Sequence, residues 1–174
     1  MDEDIITREI GIDEVVEKYV DVEKFITRCR ECDSYGRKWS CPPYDFDQME
    51  YWRKFSRLRL MVKKFRPEDE DMDTVFAAYK DTKEELTEDL YDLEKEIPGS
   101  RCLFAGSCCV CGEDNCTKVN GEPCRFPDKC RYSVESIGGD VAGLAKDLFG
   151  LDLLWMKDGK MPEYFLLMCG LLLP

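Results

Sequence analysis

Eleven cysteines and no histidine define the chemistry open to this chain of 174 residues. Six of the cysteines fall in AGSCCVCGEDNCTKVNGEPCRFPDKC, residues 105–130: Cys108, Cys109, Cys111, Cys116, Cys124 and Cys130. Three more, Cys29, Cys32 and Cys41, stand in a smaller knot at residues 29–43 that ends in Pro42-Pro43. Thiolates separated by two residues on a turn can face one centre, as a metal ion or an iron–sulfur cluster requires. The lack of histidine removes mixed cysteine–histidine zinc sites, histidine-dependent nucleophiles and haem held by histidine. Any metal is therefore held by thiolates, with carboxylates as the remaining help, and all-sulfur sites select zinc or iron–sulfur clusters.

The two knots differ in what they offer. Cys108, Cys111, Cys116 and Cys124 lie close together and end in a turn with Pro127, a set that suits a [4Fe–4S] cluster. A structural zinc site uses two pairs of cysteines with two-residue gaps. Only Cys108 and Cys111 make such a pair in the large knot, so Cys29 and Cys32 supply the second in a zinc site shared by both knots. In the small knot Cys29, Cys32 and Cys41 are three obvious ligands. Either Cys102, Cys130, Cys169 or a carboxylate completes them, or one iron stays open to water or substrate, as a Lewis-acid catalyst needs. Cys102 and Cys169 stand in apolar stretches and read as small buried hydrophobes. Arg28, Arg30, Arg37 and Lys38 make the small knot net positive, and Arg125 and Arg131 flank the large one. Such cations stabilise an anionic cluster and raise its potential, or hold a small anionic ligand beside an open iron. Tyr35 and Trp39 either shield a cluster from water or pack the loop onto the core.

The elements that position these knots are legible from pattern. Residues 5–10 read as a short strand, Asp13 caps a helix carrying Val15, Val16 and Tyr19, and a second short helix follows Asp21 into Cys29. Asp45 or Asp47 caps a helix with Met49, Trp52 and Phe55 on one face. RLRLMVKKF, residues 57–65, alternates as a strand does. A long helix over residues 73–96 carries Val75, Phe76, Tyr79, Leu86, Leu90 and Leu93, and Pro98-Gly99 stops it. Residues 100–105 form a strand that ends in the large knot. Strand, helix, strand is a βαβ unit, so these two strands are expected to be parallel neighbours. Asp140 and Gly150 bracket another helix. Residues 151–156 and 163–173 are expected to pair as a hairpin through Asp158-Gly159. The fold class is α+β: a small mixed sheet with a βαβ unit and a C-terminal hairpin, helices on one face, and cysteine-rich cluster-binding loops. Length argues for one domain over residues 1–174.

A net charge of -12 argues against nucleic acid and against anionic membranes as partners. The start, MDEDIITREI, is no secretory signal, and the longest apolar run, residues 164–174, is too short to span a bilayer. A cytoplasmic location follows, where disulfides are rare and cysteines serve metal or redox chemistry. Residues 68–96 hold thirteen acidic and three basic side chains, a surface that would steer a basic redox partner protein onto the fold.

Cys29-x2-Cys32, Trp39-x-Cys41-Pro42-Pro43, Ala105-Gly106-x-Cys108-x2-Cys111-x4-Cys116 and Pro123-Cys124-Arg125-x-Pro127 together resemble a known family. It is the "predicted metal-binding protein" family, domain of unknown function 2284, of anaerobic bacteria and archaea, and the likeness runs on through Ser133–Ser136 and Gly139–Val141. The resemblance implies metal binding and no particular activity. The reading that follows is a cytosolic iron–sulfur protein that transfers electrons with one or two [4Fe–4S] clusters. Its alternatives are an enzyme using the small knot's cluster as a Lewis acid, and a zinc-stabilised binding module.

Overall fold

The computed structural model describes residues 4–68, 71–112 and 114–174. Their order is β1 (Ile6–Gly11), α1 (Ile12–Tyr19), α2 (Val22–Cys29), α3 (Gln48–Trp52), β2 (Arg57–Phe65), α4 (Met72–Glu96), β3 (Arg101–Leu103), α5 (Val141–Phe149) and β4 (Phe165–Leu173). Two 3-10 turns, Thr117–Asn120 and Glu135–Ile137, lie between β3 and α5. The four strands form one sheet in the order β1-β2-β4-β3, and every neighbouring pair is antiparallel. The class is α+β, as expected.

The sheet differs from the expected mixed sheet in one decisive way. β2 and β3 run in the same direction but are not neighbours, because β4 lies between them and pairs with both. The sequence of β4, FLLMCGLLL, is apolar at every position, and such a strand is stable only where both faces are covered and both edges paired. It therefore takes the interior of the sheet and separates β2 from β3. The same fact removes the expected hairpin. With both edges of β4 occupied, residues 151–156 form no strand, and the Asp158-Gly159 turn survives as an isolated bridge between Lys157 and Lys160. Gly170 keeps the centre tight, since a Cβ there would meet the Arg59 carbonyl and a Leu58 methyl, each at 3.1 Å.

Helices cover both faces of the sheet, not one. Alternation along β2 sends Leu58, Leu60 and Val62 to one side, where Val15 of α1, Trp52 of α3 and Leu144 of α5 pack on them. Met61 points the other way and meets Cys102, Cys169, Leu171 and Leu90 of α4. Trp52 is fully buried and its indole N–H donates to the Ile137 carbonyl at 2.9 Å. The helix caps follow the expected chemistry at Asp21, Asp47 and Asp140, whose carboxylates accept from the third residue beyond. Asp13 is the exception: α1 starts at Ile12, and Asp13 lies inside its first turn. Among the described residues no helix is long and apolar enough to cross a membrane.

Candidate metal centre

α2 delivers Cys29 at its last turn, and the chain then folds back on itself. The Cys32 amide donates to the Cys29 carbonyl at 3.0 Å, and the Tyr35 amide to the Cys32 carbonyl at 3.0 Å. Gly36, at φ +68°, donates its amide to the Pro42 carbonyl at 2.7 Å, which closes the loop and returns Cys41 towards Cys29 and Cys32. Cys32 is exposed, Cys29 half-buried and Cys41 buried. Burial pushes the Cys41 thiol up to about 11, and the charges of Cys32 and Cys29 push the same way. Burial also raises Cys29, helped by Glu135 and Cys32, and the Cys29 sulfur lies 3.9 Å from the Glu135 carbonyl oxygen. The three thiols of the small knot thus feel one another.

The large knot is a closed loop built on tight turns. Gly112, at φ +85°, donates its amide to the Cys109 carbonyl at 2.8 Å. Thr117 Oγ1 donates to the Pro123 carbonyl at 2.8 Å, and the Cys130 amide to the Phe126 carbonyl at 3.0 Å. Between these turns is a small cavity of about 20 Å³, lined by Cys108, Cys111, Cys116, Cys124 and Cys130 together with residues 38–40 of the small knot. The four cysteines expected to act together in this knot are therefore brought to one cavity, and a fifth joins them. Cys130, a candidate fourth ligand for the small knot by sequence, faces the large knot instead. Cys109 does not line the cavity; its Sγ lies 3.5 Å from the Ser107 carbonyl oxygen. Cys102 and Cys169, the other two candidates, are buried in the sheet at 0% and 1% exposure.

Cys108 is biased towards thiolate. The neighbouring Cys130 thiol is the largest cause, the Val110 and Arg131 amides act the same way, and together they outweigh burial and lower the Cys108 thiol below its ordinary value. Cys130 is raised in turn, because it keeps the proton that the pair shares. The Cys111 thiol is raised by burial and by Cys124 and Cys116 across the cavity.

The two knots adjoin, although the sequence separates them widely. Ser40, 1% exposed, accepts a hydrogen bond from the Cys108 amide at 3.0 Å, and its Oγ lies 3.7 Å from the Cys41 sulfur. Lys38 is buried and donates to Ser107 Oγ at 3.2 Å. Lys118 donates to the Lys38, Cys41 and Pro43 carbonyls at 3.2, 2.9 and 3.3 Å. Trp39 lies under the Lys118 ammonium and donates its indole N–H to the Glu122 carbonyl at 3.2 Å. Sequence reasoning named Lys38 and Trp39 but missed Ser40 and Lys118. Lys118 carried one signal, a lone cation two residues after Cys116 in an acidic chain, whereas a serine between Trp39 and Cys41 carries none. Of the other basic residues, Arg28, Arg30 and Arg37 are exposed. Arg131 is turned away into a buried ion pair with Glu94, with contacts of 2.9 and 2.6 Å.

The donor set fits a thiolate-bound metal group. It is all sulfur, and its neighbours lower one member, Cys108, towards thiolate. Among the described residues, no three cysteines, aspartates or glutamates converge on a single point for one ion. The thiols stand around a space instead.

The chain is thus an α+β fold in which two cysteine loops line one small cavity. The chain belongs to the family described as predicted metal-binding protein (DUF2284), whose model matches residues 14–173. No curated protein and no solved structure matches it.

Proposed function

We propose that this metal-binding protein carries [4Fe–4S] clusters, one or two, and transfers electrons. The observation that carries the reading is the gathering of five cysteines on one small cavity. Their number and the short gaps between them match what such clusters use. When bound, such a cluster takes up and gives back single electrons. Cys108, Cys111, Cys116 and Cys124 are its ligands. Cys130 and the Val110 and Arg131 amides, which lower the Cys108 thiol, would favour the reduced state by stabilising negative charge on that sulfur. Cys29, Cys32 and Cys41 form the second site. Ser40 touches both sites and is the shortest connection between them. The acidic outer side of α4 docks a basic redox partner.

A second reading has its own observation. Of the three candidate fourth thiols, Cys102 and Cys169 are in the sheet and Cys130 lines the large knot's cavity, so none of them completes the set of Cys29, Cys32 and Cys41. A three-thiolate cluster leaves one iron for water or substrate, and the protein is then an enzyme using it as a Lewis acid. Paramagnetic resonance of the dithionite-reduced protein separates the two. Electron transfer predicts cluster signals that stay unchanged when cyanide is added. A signal that shifts with cyanide establishes the Lewis-acid reading, and a protein with no reducible signal contradicts both.

A further inference from the structure

Beside the sulfur cavity lies a second and wider hollow, which no part of the proposed function uses. It shares Trp39, Cys124 and Cys130 with the cavity and is completed by Tyr51, Arg101 and Tyr132. Pro123 and Pro127 form its apolar rim.

Its polar groups are poorly matched within the protein. Arg101 and Arg131 share one carboxylate, Glu94, so these three side chains keep one positive charge between them. Arg131 is fully engaged, with Nε and Nη2 on Glu94 and Nη1 on the Cys130 carbonyl at 2.9 Å. Arg101 makes only one long contact, Nη1 to Glu94 at 3.3 Å, and its side chain is 46% exposed. Its other donors have no partner among the described residues. The hydroxyls of Tyr51 and Tyr132 likewise carry no hydrogen bond among the described residues, and the two rings pack edge to face at 5.3 Å. Burial holds Tyr51 up to about 12, so its phenol is a donor at neutral pH.

We infer that this hollow binds a small organic carboxylate with a flat apolar body, placed against the wall formed by Cys124 and Cys130. One net positive charge suits a monoanion better than a phosphate dianion. The guanidinium fork and two phenols meet the carboxylate, and Trp39 with the two prolines meets the flat body. Binding needs no assumption about the metal; only the effect on the metal spectrum rests on the proposed function.

The test titrates the metal-loaded protein, as purified, with benzoate and 2-naphthoate, followed by tryptophan fluorescence and calorimetry. Saturable binding at one site is expected for at least one of the two. Arg101→Gln, an exposed change on a strand edge, weakens it about tenfold or more, and Tyr132→Phe about threefold. Benzyl alcohol, the uncharged analogue, binds at least about tenfold more weakly than benzoate. The bound acid also shifts the visible absorption of the metal site. Binding without that shift keeps the carboxylate site and removes its contact with the metal wall. Failure of both acids to saturate, unchanged affinity in a folded Arg101→Gln, or displacement by inorganic phosphate at equal affinity overturns the inference.

Discussion

At the scale of single residues, the sulfurs divide by where their side chains lie. Cys111→Ser and Cys124→Ser remove atoms from the cavity wall and are expected to lose bound metal, and much stability with it, because metal binding and folding are coupled. Cys109→Ser and Cys169→Ser are expected to keep full metal content, since neither sulfur reaches the cavity. Metal analysis of the four purified variants checks this, and equal loss in Cys109→Ser would show that the loop uses the adjacent thiol. Ser40→Ala leaves the half-buried Cys108 amide without its acceptor. It is expected to cost about 1–3 kcal/mol in the unfolding free energy of the loaded protein, measured by denaturant titration. Both knots, and the grouping of Cys108, Cys111, Cys116 and Cys124 at one place, could be read from spacing alone, because short gaps constrain where thiols point. Cys130 could not, since five residues separate it from Cys124 and only the closed loop brings it to Cys108.

Between elements, two joints hold the knots in place. The large knot leaves through Arg131, which is tied to Glu94 of α4, while Glu94 also accepts from the Cys102 amide of β3 at 2.7 Å. Burial alone would raise the Glu94 carboxyl, but Arg131 and the Cys102 amide outweigh it and hold it down to about 2. Removing the charge leaves Arg131 buried and unpaired, so Glu94→Gln is expected to destabilise by about 3 kcal/mol. The pH dependence has a definite sign. The depressed carboxyl contributes fully above its ordinary 4.5, and that contribution fades as pH falls through about 2. Acid unfolding should begin at higher pH in a variant with a weakened pair, such as Arg131→Lys, than in the parent protein, as followed by circular dichroism. The second joint seats α2 on Gly138, where φ is +86° and a Cβ would meet the Val22 backbone at 2.9 Å. Gly138→Ala is expected to displace the start of α2 and with it Cys29, costing about 1–3 kcal/mol in thermal unfolding. Elements were legible where one pattern decided them, as in β2, α4 and the capped α5. The order of strands was not, because it depends on which strand is most apolar over both faces. FLLMCGLLL outcompetes the β2–β3 pairing that a strand–helix–strand sequence suggests.

Over the whole molecule, the sheet is a frame that brings two distant loops to one end. β3 launches the large knot from the sheet, and the Phe104–Ser133 bridge gathers its far end back. Val20 bridges Gly139, which ties the helix before the small knot to the segment after the large one. A fold built this way joins the two knots into one unit, so breaking either loop should lower the metal content of the whole protein. The central claim is that the unit holds iron–sulfur clusters. Anaerobic purification followed by iron, zinc and acid-labile sulfide analysis tests it most directly. The account predicts brown protein with iron and sulfide in equal amounts. Colourless protein that holds zinc and no sulfide would contradict it and leave a zinc-stabilised binding module in its place.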